Sequence, residues 1–225
     1  MPAVHLRGAV TVLGRFPALA GLDLDVAQGE AVLISGPNGA GKSTLLRLLA
    51  GLVPLTAGTG NVFGHDLTGD RRALRKRVAF LGHETLCYGD LTAIENLRFH
   101  ARAAGKPVSI ADDAIERVGL TRVAGRPLRL LSAGQQRRVA LGVVLAKDAP
   151  LLLLDEPHAG LDPVARGLLD SLVREVSLEG RTILMASHEL ARARGVTDRE
   201  VRLAGGQSEG GTAEAPDDLE SVVAR

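Results

Sequence analysis

The stretch that decides the fold is Ala-Val-Leu-Ile-Ser (31–35) followed by Gly-Pro-Asn-Gly-Ala-Gly-Lys-Ser (36–43). The first five residues show no polar alternation, which predicts a strand that is buried on both faces. The next eight match the pattern G-x-x-x-x-G-K-[ST] completely, and a helical sequence follows them and stops at Gly51. A buried strand, a glycine-rich loop and a helix in this order predict a phosphate-binding loop.

Each residue type in this loop has a physical reason for its place. Glycines allow successive backbone N–H groups to point inward, and the N-terminus of the following helix adds its positive dipole end. Lys42 supplies a charge for the β- and γ-phosphates of a nucleotide, and the Ser43 hydroxyl is a ligand for Mg²⁺. The predicted nucleotide-binding residues are Gly36, Pro37, Asn38, Gly39, Ala40, Gly41, Lys42, Ser43 and Thr44.

A second apolar strand ends in two acids. Four leucines at 151–154 precede Asp155 and Glu156. In a parallel sheet, ligands bind beyond the carboxyl ends of the strands, so Asp155 is expected beside the phosphate loop as a Mg²⁺ ligand. Glu156 faces another way and is the predicted general base that polarises an attacking water.

The rest of the chain predicts an α/β fold with a parallel core sheet. Residues 20–27 alternate between apolar and polar side chains, which predicts an N-terminal antiparallel β lobe. Residues of about 85–130 lack strong strands and are predicted to form a helical insert. We expect one ATP-binding domain over 1–203 and a disordered acidic tail over 204–225, which has five acids against one base.

Composition excludes several classes of protein. The 225 residues carry a net charge of +1, which gives no electrostatic reason to bind nucleic acid, and none is expected as a partner. A single cysteine excludes an internal disulfide framework. The longest stretch without Asp, Glu, Lys or Arg, 48–65, contains four glycines and a proline, so it is not expected to span a membrane.

Three further motifs follow in a fixed order. Leu-Ser-Ala-Gly-Gln (131–135) precedes a long helix, Ala-Gly-Leu-Asp (159–162) follows the carboxylate pair, and His188 comes just after the last apolar strand. Over residues of about 3–203, this order resembles the ATP-binding subunits of ABC transporters. The resemblance implies catalytic roles for Lys42, Glu156 and His188. It also implies a D-loop at Asp162 and a signature that binds the second ATP of a dimer through Ser132, Ala133, Gly134 and Gln135.

The resemblance also implies cofactors and partners. These are ATP with Mg²⁺, a homodimer of ATP-binding subunits, and one or more separate membrane-spanning permease subunits. The implied location is peripheral, at the cytoplasmic face of the inner membrane.

Two positions depart from the family pattern. His83-Glu84 stands where the family has its Q-loop glutamine, and Glu84 is predicted to replace that glutamine as a metal ligand. The usual adenine-stacking aromatic, 29 residues before Lys42, falls on Leu13, and the nearby Phe16 could stack on adenine or pack in the β lobe. Leu86, Tyr88 and Leu91 are candidates for contact with a permease, or for packing.

Details of sequence narrow the family. Residues 131–141, together with 81–83 and 91–99, resemble the haem-exporter branch that serves bacterial cytochrome c maturation. The predicted function is therefore an ATPase that drives haem export. The alternatives are another small ABC exporter of the drug or lipid type, a soluble ABC ATPase outside transport, and a P-loop kinase, which would need neither the signature nor the D-loop.

Overall fold

The computed structural model describes residues 2–209 and begins with a four-stranded antiparallel sheet. In spatial order its strands are β2 (Phe16–Val26), β1 (Val4–Leu13), β4 (Ala57–Val62) and β5 (His65–Asp66). Leu22, Leu24 and Val26 are buried, whereas Asp25 between them is exposed. The alternation therefore predicts the face correctly, and the N-terminal β lobe is confirmed.

A second sheet of six strands forms the centre of the molecule. In spatial order its strands are β10 (Gln207–Ser208), β9 (Arg199–Ala204), β3 (Ala31–Ser35), β8 (Thr182–Ala186), β7 (Leu151–Asp155) and β6 (Val78–Leu81). All neighbours from β9 to β6 pair in parallel, and β10 pairs antiparallel with β9. Strands β3, β8 and β7 therefore end side by side at one edge.

Seven α-helices surround the two sheets within the described residues. They are α1 (Lys42–Leu49), α2 (Arg71–Arg75), α3 (Ala93–Ala103), α4 (Ser109–Arg117), α5 (Ala133–Ala146), α6 (Pro163–Leu178) and α7 (Leu190–Arg194). Thr92 caps α3 in a capping box with Glu95, and Asp162 caps α6 with Pro163 in its first position. Two short 3₁₀ turns, Thr121–Val123 and Leu128–Leu130, complete the region before α5.

Strand β7 shows how the central sheet separates two apolar cores. Leu152 and Leu154 pack into a core with α3, α4, α5 and α6, whereas Leu151 and Leu153 pack into a core with α1 and the antiparallel sheet. The four leucines of β7 are therefore buried on both faces of the sheet, as the sequence predicts. The fold class predicted from the sequence is confirmed.

The C-terminal boundary predicted from the sequence is wrong at its start. The stretch assigned to the tail from residue 204 begins inside β9, and Gly205-Gly206 forms the two-residue turn into β10. The turn is held against the β lobe, because the Ala20 N–H donates to the Gly206 carbonyl at 3.0 Å. Strand β9 was missed because charged residues interrupt it. The remainder of the predicted tail, 210–225, lies outside the described residues.

Among residues 2–209, the structure contains no helix with the length and apolar character needed to cross a bilayer.

Candidate active site

The loop 36–43 connects β3 to α1 and forms the floor of a cavity of about 320 Å³. The far wall of the cavity comes from the segments that follow β7 and β8, so the three adjacent strand ends meet here as predicted. The lining residues are Ala18, Asn38, Gly39, Ala40, Gly41, Lys42, Ser43, Thr44, Glu156 and His188.

Close backbone approach fixes two glycines of this loop. A Cβ on Gly36 would lie 2.2 Å from the carbonyl oxygen of Leu203, and one on Gly41 would lie 2.5 Å from that of Ala18. Both glycines also have positive φ angles, of 135° and 99°. Strand β9 and the β lobe therefore clamp the loop in a shape that only glycine permits at these positions.

The ammonium group of Lys42 is held over the loop. Its Nζ donates to the carbonyls of Gly36 and Pro37 at 2.8 and 3.0 Å, and the residue is buried. Within the described part of the chain, no carboxylate lies within 4 Å of this ammonium. Its positive charge is therefore available to an anion in the cavity.

Ser43 and Asp155 come together from α1 and β7. The Ser43 Oγ donates to Asp155 Oδ1 at 3.0 Å, and Asp155 is buried. A hydroxyl and a carboxylate oxygen are the hard ligands that Mg²⁺ prefers, so the donor set fits this ion. These two residues meet as the sequence predicts.

Glu156 has an unusual backbone that is held from several sides. Its φ is +46°, in the left-handed region that non-glycine residues rarely adopt. Its N–H donates to the Ala186 carbonyl at 2.9 Å, and its Oε2 accepts from the His188 N–H at 3.1 Å. The chain therefore stabilises a strained conformation that points the carboxylate along the cavity wall.

The other oxygen of Glu156 lacks a donor. Oε1 is buried and has no hydrogen-bond partner among the described residues. The His188 Nε2 lies 3.4 Å from this oxygen, at an angle that does not make a hydrogen bond. A buried carboxylate oxygen beside an anion cavity, with its lone pairs unused, is suited to accept a proton from a water molecule.

Arg137 is a site residue that the sequence analysis missed. Its guanidinium is buried and donates to the carbonyls of Gly82, Asp155 and Glu156 at 2.5, 3.1 and 2.8 Å. Burial lowers the pKa of Arg137, and the charges of Asp155 and Glu156 oppose this shift, so the group keeps its charge. Arg137 thus joins the ends of β6 and β7 to helix α5.

One signal in the sequence could have identified Arg137. It lies three and four positions before Ala140 and Leu141, which are buried, so it falls on the apolar face of α5. An arginine on such a face needs buried acceptors.

The Leu-Ser-Ala-Gly-Gln motif lies at the N-terminus of α5. Ser132 caps the helix: its Oγ accepts from the Gln135 N–H at 3.3 Å, and its own N–H donates to the Gln135 side chain at 3.0 Å. Ser132 and Ala133 are exposed, and none of the four residues 132–135 lines the cavity. Within one chain, the structure does not bring this motif to the loop 36–43.

Comparison with known proteins identifies the family. The model of the family described as ABC transporter matches residues 19–159. The chain belongs to the ABC transporter family. It is an ATP-hydrolysing subunit of such a transporter, and it binds ATP.

Two curated relatives and one solved structure illustrate the similarity. The chain is 36% identical to the daunorubicin/doxorubicin resistance ATP-binding protein DrrA of Streptomyces peucetius, over 99% of this chain and 69% of the relative. It is 38% identical to the cytochrome c biogenesis ATP-binding export protein CcmA of Nitrobacter winogradskyi, over 88% of this chain and 96% of the relative. The ATP-binding cassette MJ0796, solved as a dimer with ADP and Pi, has a TM-score of 0.85 and 27% identity, covering 92% of this chain and 96% of that one.

Glu84, at the place of the Q-loop residue, lies outside the cavity above Lys42. It is exposed and lines a separate cavity of about 400 Å³ with Arg47, Leu52 and Leu86, and it does not line the cavity above Lys42. Ser43 and Asp155 meet in the structure, whereas the role of Glu84 as a third metal ligand stays a prediction.

Neither candidate residue for stacking on adenine lines the cavity of this ABC subunit. Phe16 is 78% exposed and pairs with Leu13 across the turn from β1 to β2, and neither residue lines the cavity. Ala18 lines it instead. Packing of Phe16 inside the β lobe is therefore wrong, and its stacking on adenine stays a prediction.

Proposed function

We propose that this chain is the ATPase that drives haem export for bacterial cytochrome c maturation. The observation that carries the proposal is the similarity to the Nitrobacter winogradskyi export protein of cytochrome c biogenesis, which is 38% identical to this chain over 88% of it. This chain spans 96% of that relative, against 69% of the Streptomyces drug-resistance protein. The similarity thus covers almost the whole of the cytochrome c biogenesis protein.

Drug export is the second candidate. Its support is the Streptomyces relative, which matches 99% of this chain at 36% identity. Both candidates need the same ATPase, because the substrate would be bound by a separate membrane-spanning partner. The choice between them therefore rests on the phenotype of a strain and not on the ATP site.

For the chemical step, we assign Glu156 as the general base. Its buried Oε1 would take the proton of the water that attacks the γ-phosphate. The Lys42 ammonium would neutralise phosphate charge, and His188 would contact the γ-phosphate from the loop after β8. Mg²⁺, when bound at Ser43 and Asp155, would shield charge on the β- and γ-phosphates.

The working unit of the proposal is a homodimer. Each chain has one loop 36–43 and one signature; Ser132 and Ala133 of the signature are exposed, and none of residues 132–135 lines that loop's own cavity. A second copy would bring its Ser132 helix terminus to the ATP, where the helix dipole favours phosphate. The D-loop, which ends at Asp162, would lie at this interface. The dimer of the structural neighbour supports this arrangement.

The proposed membrane contact is the cavity beside Glu84. The exposed side chains of Leu52, Leu86, Tyr88 and Phe99 lie in and around this region, where they would bind an apolar helix of a permease. Tyr88 and Phe99 meet edge to face with ring centroids 5.1 Å apart. Docking there would hold the chain at the cytoplasmic face of the inner membrane.

The experiment is a strain that carries Glu156→Gln in this protein as its only copy. If this chain drives haem export, the c-type cytochromes of this strain should lose their covalent haem. Haem staining of membrane proteins after denaturing electrophoresis measures this loss. The matched control is the exposed variant Lys76→Ala, which should keep normal staining. Normal cytochromes c in the Glu156→Gln strain, together with increased sensitivity to anthracyclines, would reject haem export and favour drug export.

A further inference from the structure

Residue His158 is a buried titratable side chain that the proposed chemistry does not use. It follows Glu156 by two positions and is 1% exposed. Its Nε2 donates to Oδ1 of Asp170 in α6 at 2.9 Å, because a carboxylate can only accept. This hydrogen bond ties the beginning of the D-loop to the helix that follows it.

Asp170 extends the contact to the segment after the last core strand. Its second oxygen, Oδ2, accepts from the guanidinium of Arg192 in α7. Helix α7 begins two residues after His188. One buried carboxylate therefore connects the D-loop side of the cavity with the His188 side.

The contacts continue and return to the D-loop. The Arg192 Nε lies 3.6 Å from Glu189 Oε2, and Glu189 Oε1 lies 3.4 Å from Arg166 NH1. The Arg166 Nε then donates to the carbonyl of Leu161 at 3.0 Å. We call this closed set the polar ring; its members are His158, Asp170, Arg192, Glu189, Arg166 and the Leu161 carbonyl.

The charges of the polar ring and its place in the fold indicate that it orients the segment beside His188. The two arginines of the ring balance its two carboxylates, and His158 adds a hydrogen bond to one of them. Arg166, Glu189 and Arg192 are each about one third exposed, at 35%, 34% and 36%, and such ion pairs contribute little to global stability. Their geometric effect is larger, because Glu189 is bonded to His188 and Leu161 lies within the D-loop.

We propose that the polar ring couples the D-loop to the loop after β8, so that Arg166 and Glu189 are positioning residues for His188. When the D-loop changes position, the ring transmits the change to the residue beside His188. The inference rests on the proposed role of His188, and it adds a coupling device that acts through two residues outside the ATP cavity.

The test uses Arg166→Ala in the full chain, because Arg166 is distant in sequence from His188. The matched control is Arg98→Ala, which removes a similarly exposed ion pair, Arg98–Asp112 at 2.8 Å, in the helical region. We expect Arg166→Ala to lower kcat about tenfold with KM and the unfolding temperature within error of the control, because a shift of ~1 Å near a reacting group costs up to ~100-fold. Unchanged kcat would overturn the proposal.

Two further measurements distinguish coupling between the two loops from a general stabilisation of the fold. The double variant Arg166→Ala/Glu189→Ala should be no slower than the slower single variant, because both residues act through one ring. The NMR signal of the His188 imidazole, assigned with His188→Ala, should shift in Arg166→Ala and stay in place in Arg98→Ala. Additive losses of kcat, a matching loss of thermal stability, or an unmoved His188 signal would each overturn the coupling.

The NMR measurement does not need turnover, so it also separates this inference from the proposed function. If Glu156→Gln hydrolyses ATP like the unmodified chain, the assigned base is wrong. A shifted His188 signal in Arg166→Ala would still support the ring in that case.

Discussion

The backbone N–H of His188 donates to Oε2 of Glu156 at 3.1 Å, across two loops that are 32 positions apart. This bond orients the carboxylate while leaving Oε1 without a donor. The loop after β8 thus fixes one oxygen of Glu156, and Arg137 holds the Glu156 carbonyl from the other side. The position of the proposed base depends on three elements that converge from β7, β8 and α5.

The first prediction concerns Lys42. Lys42→Ala should weaken ATP binding roughly tenfold or more, because a charge-assisted contact to phosphate contributes ~1.5–3 kcal/mol. Isothermal titration calorimetry measures the affinity, and Lys76→Ala, at an exposed lysine, is the control. Equal affinity in both variants would show that the Lys42 ammonium does not contact phosphate.

The second prediction concerns Arg137. Arg137→Lys cannot donate to three carbonyls in the same geometry, so it should destabilise the fold by about 1–3 kcal/mol and lower kcat. The neighbouring variant Arg138→Lys is the control, because Arg138 makes only longer contacts, at 3.3 and 3.4 Å, to the carbonyls of Val118 and Gly119. Thermal unfolding measures the loss of stability, and steady-state hydrolysis measures the loss of kcat. Equal behaviour of both variants would show that the three hydrogen bonds of Arg137 do not stabilise the site.

The third prediction concerns the clamp on the loop 36–43. Gly36→Ala would bring a Cβ to 2.2 Å from the Leu203 carbonyl, so β9 or the loop must move. Gly64→Ala is the control, because Gly64 also has a positive φ, of 77°, but its Cβ would meet nothing within 4 Å. We expect Gly36→Ala to lower the free energy of unfolding in urea by at least ~2 kcal/mol more than Gly64→Ala. Equal losses of unfolding free energy in the two variants would contradict the close approach of Gly36 to the Leu203 carbonyl.

The fourth prediction concerns the single cysteine. Burial raises the pKa of the Cys87 thiol to about 11, so the unreactive thiol form dominates near neutral pH. Alkylation by iodoacetamide at pH 8 should be roughly a hundredfold or more slower than for a free thiol, and it should rise about tenfold per pH unit. The urea-unfolded chain is the control. Labelling of the folded chain at the unfolded rate would contradict the buried thiol.

The sequence predicted the parts of this molecule that depend on local pattern. The runs 31–34 and 151–154 contain only apolar residues and form buried strands, and the helix-start pair Asp162-Pro163 stands at the beginning of α6. The meeting of Ser43 with Asp155 also followed from the sequence, because parallel strands bring their carboxyl ends to one edge. These inferences need only periodicity, caps and the geometry of a parallel sheet.

The parts that the sequence could not predict depend on tertiary contacts. Strand β9 carries the pattern Arg-Glu-Val-Arg-Leu-Ala and forms because β3 offers it an unpaired edge. Arg137 and Arg138 are adjacent and chemically identical, and only the packing of α5 separates their roles. Glu84 is exposed on a cavity separate from the one above Lys42, and its place there depends on the path of its loop, which no local pattern indicates.

The central claim is that Glu156 is the base for ATP hydrolysis, and Glu156→Gln tests it most directly. The amide keeps the size and the contact with the His188 N–H but cannot accept the proton. We measure ATP binding and steady-state release of phosphate on the same preparation. The account predicts unchanged binding and a loss of turnover of at least ~100-fold. Release of phosphate at the rate of the unmodified chain would contradict it.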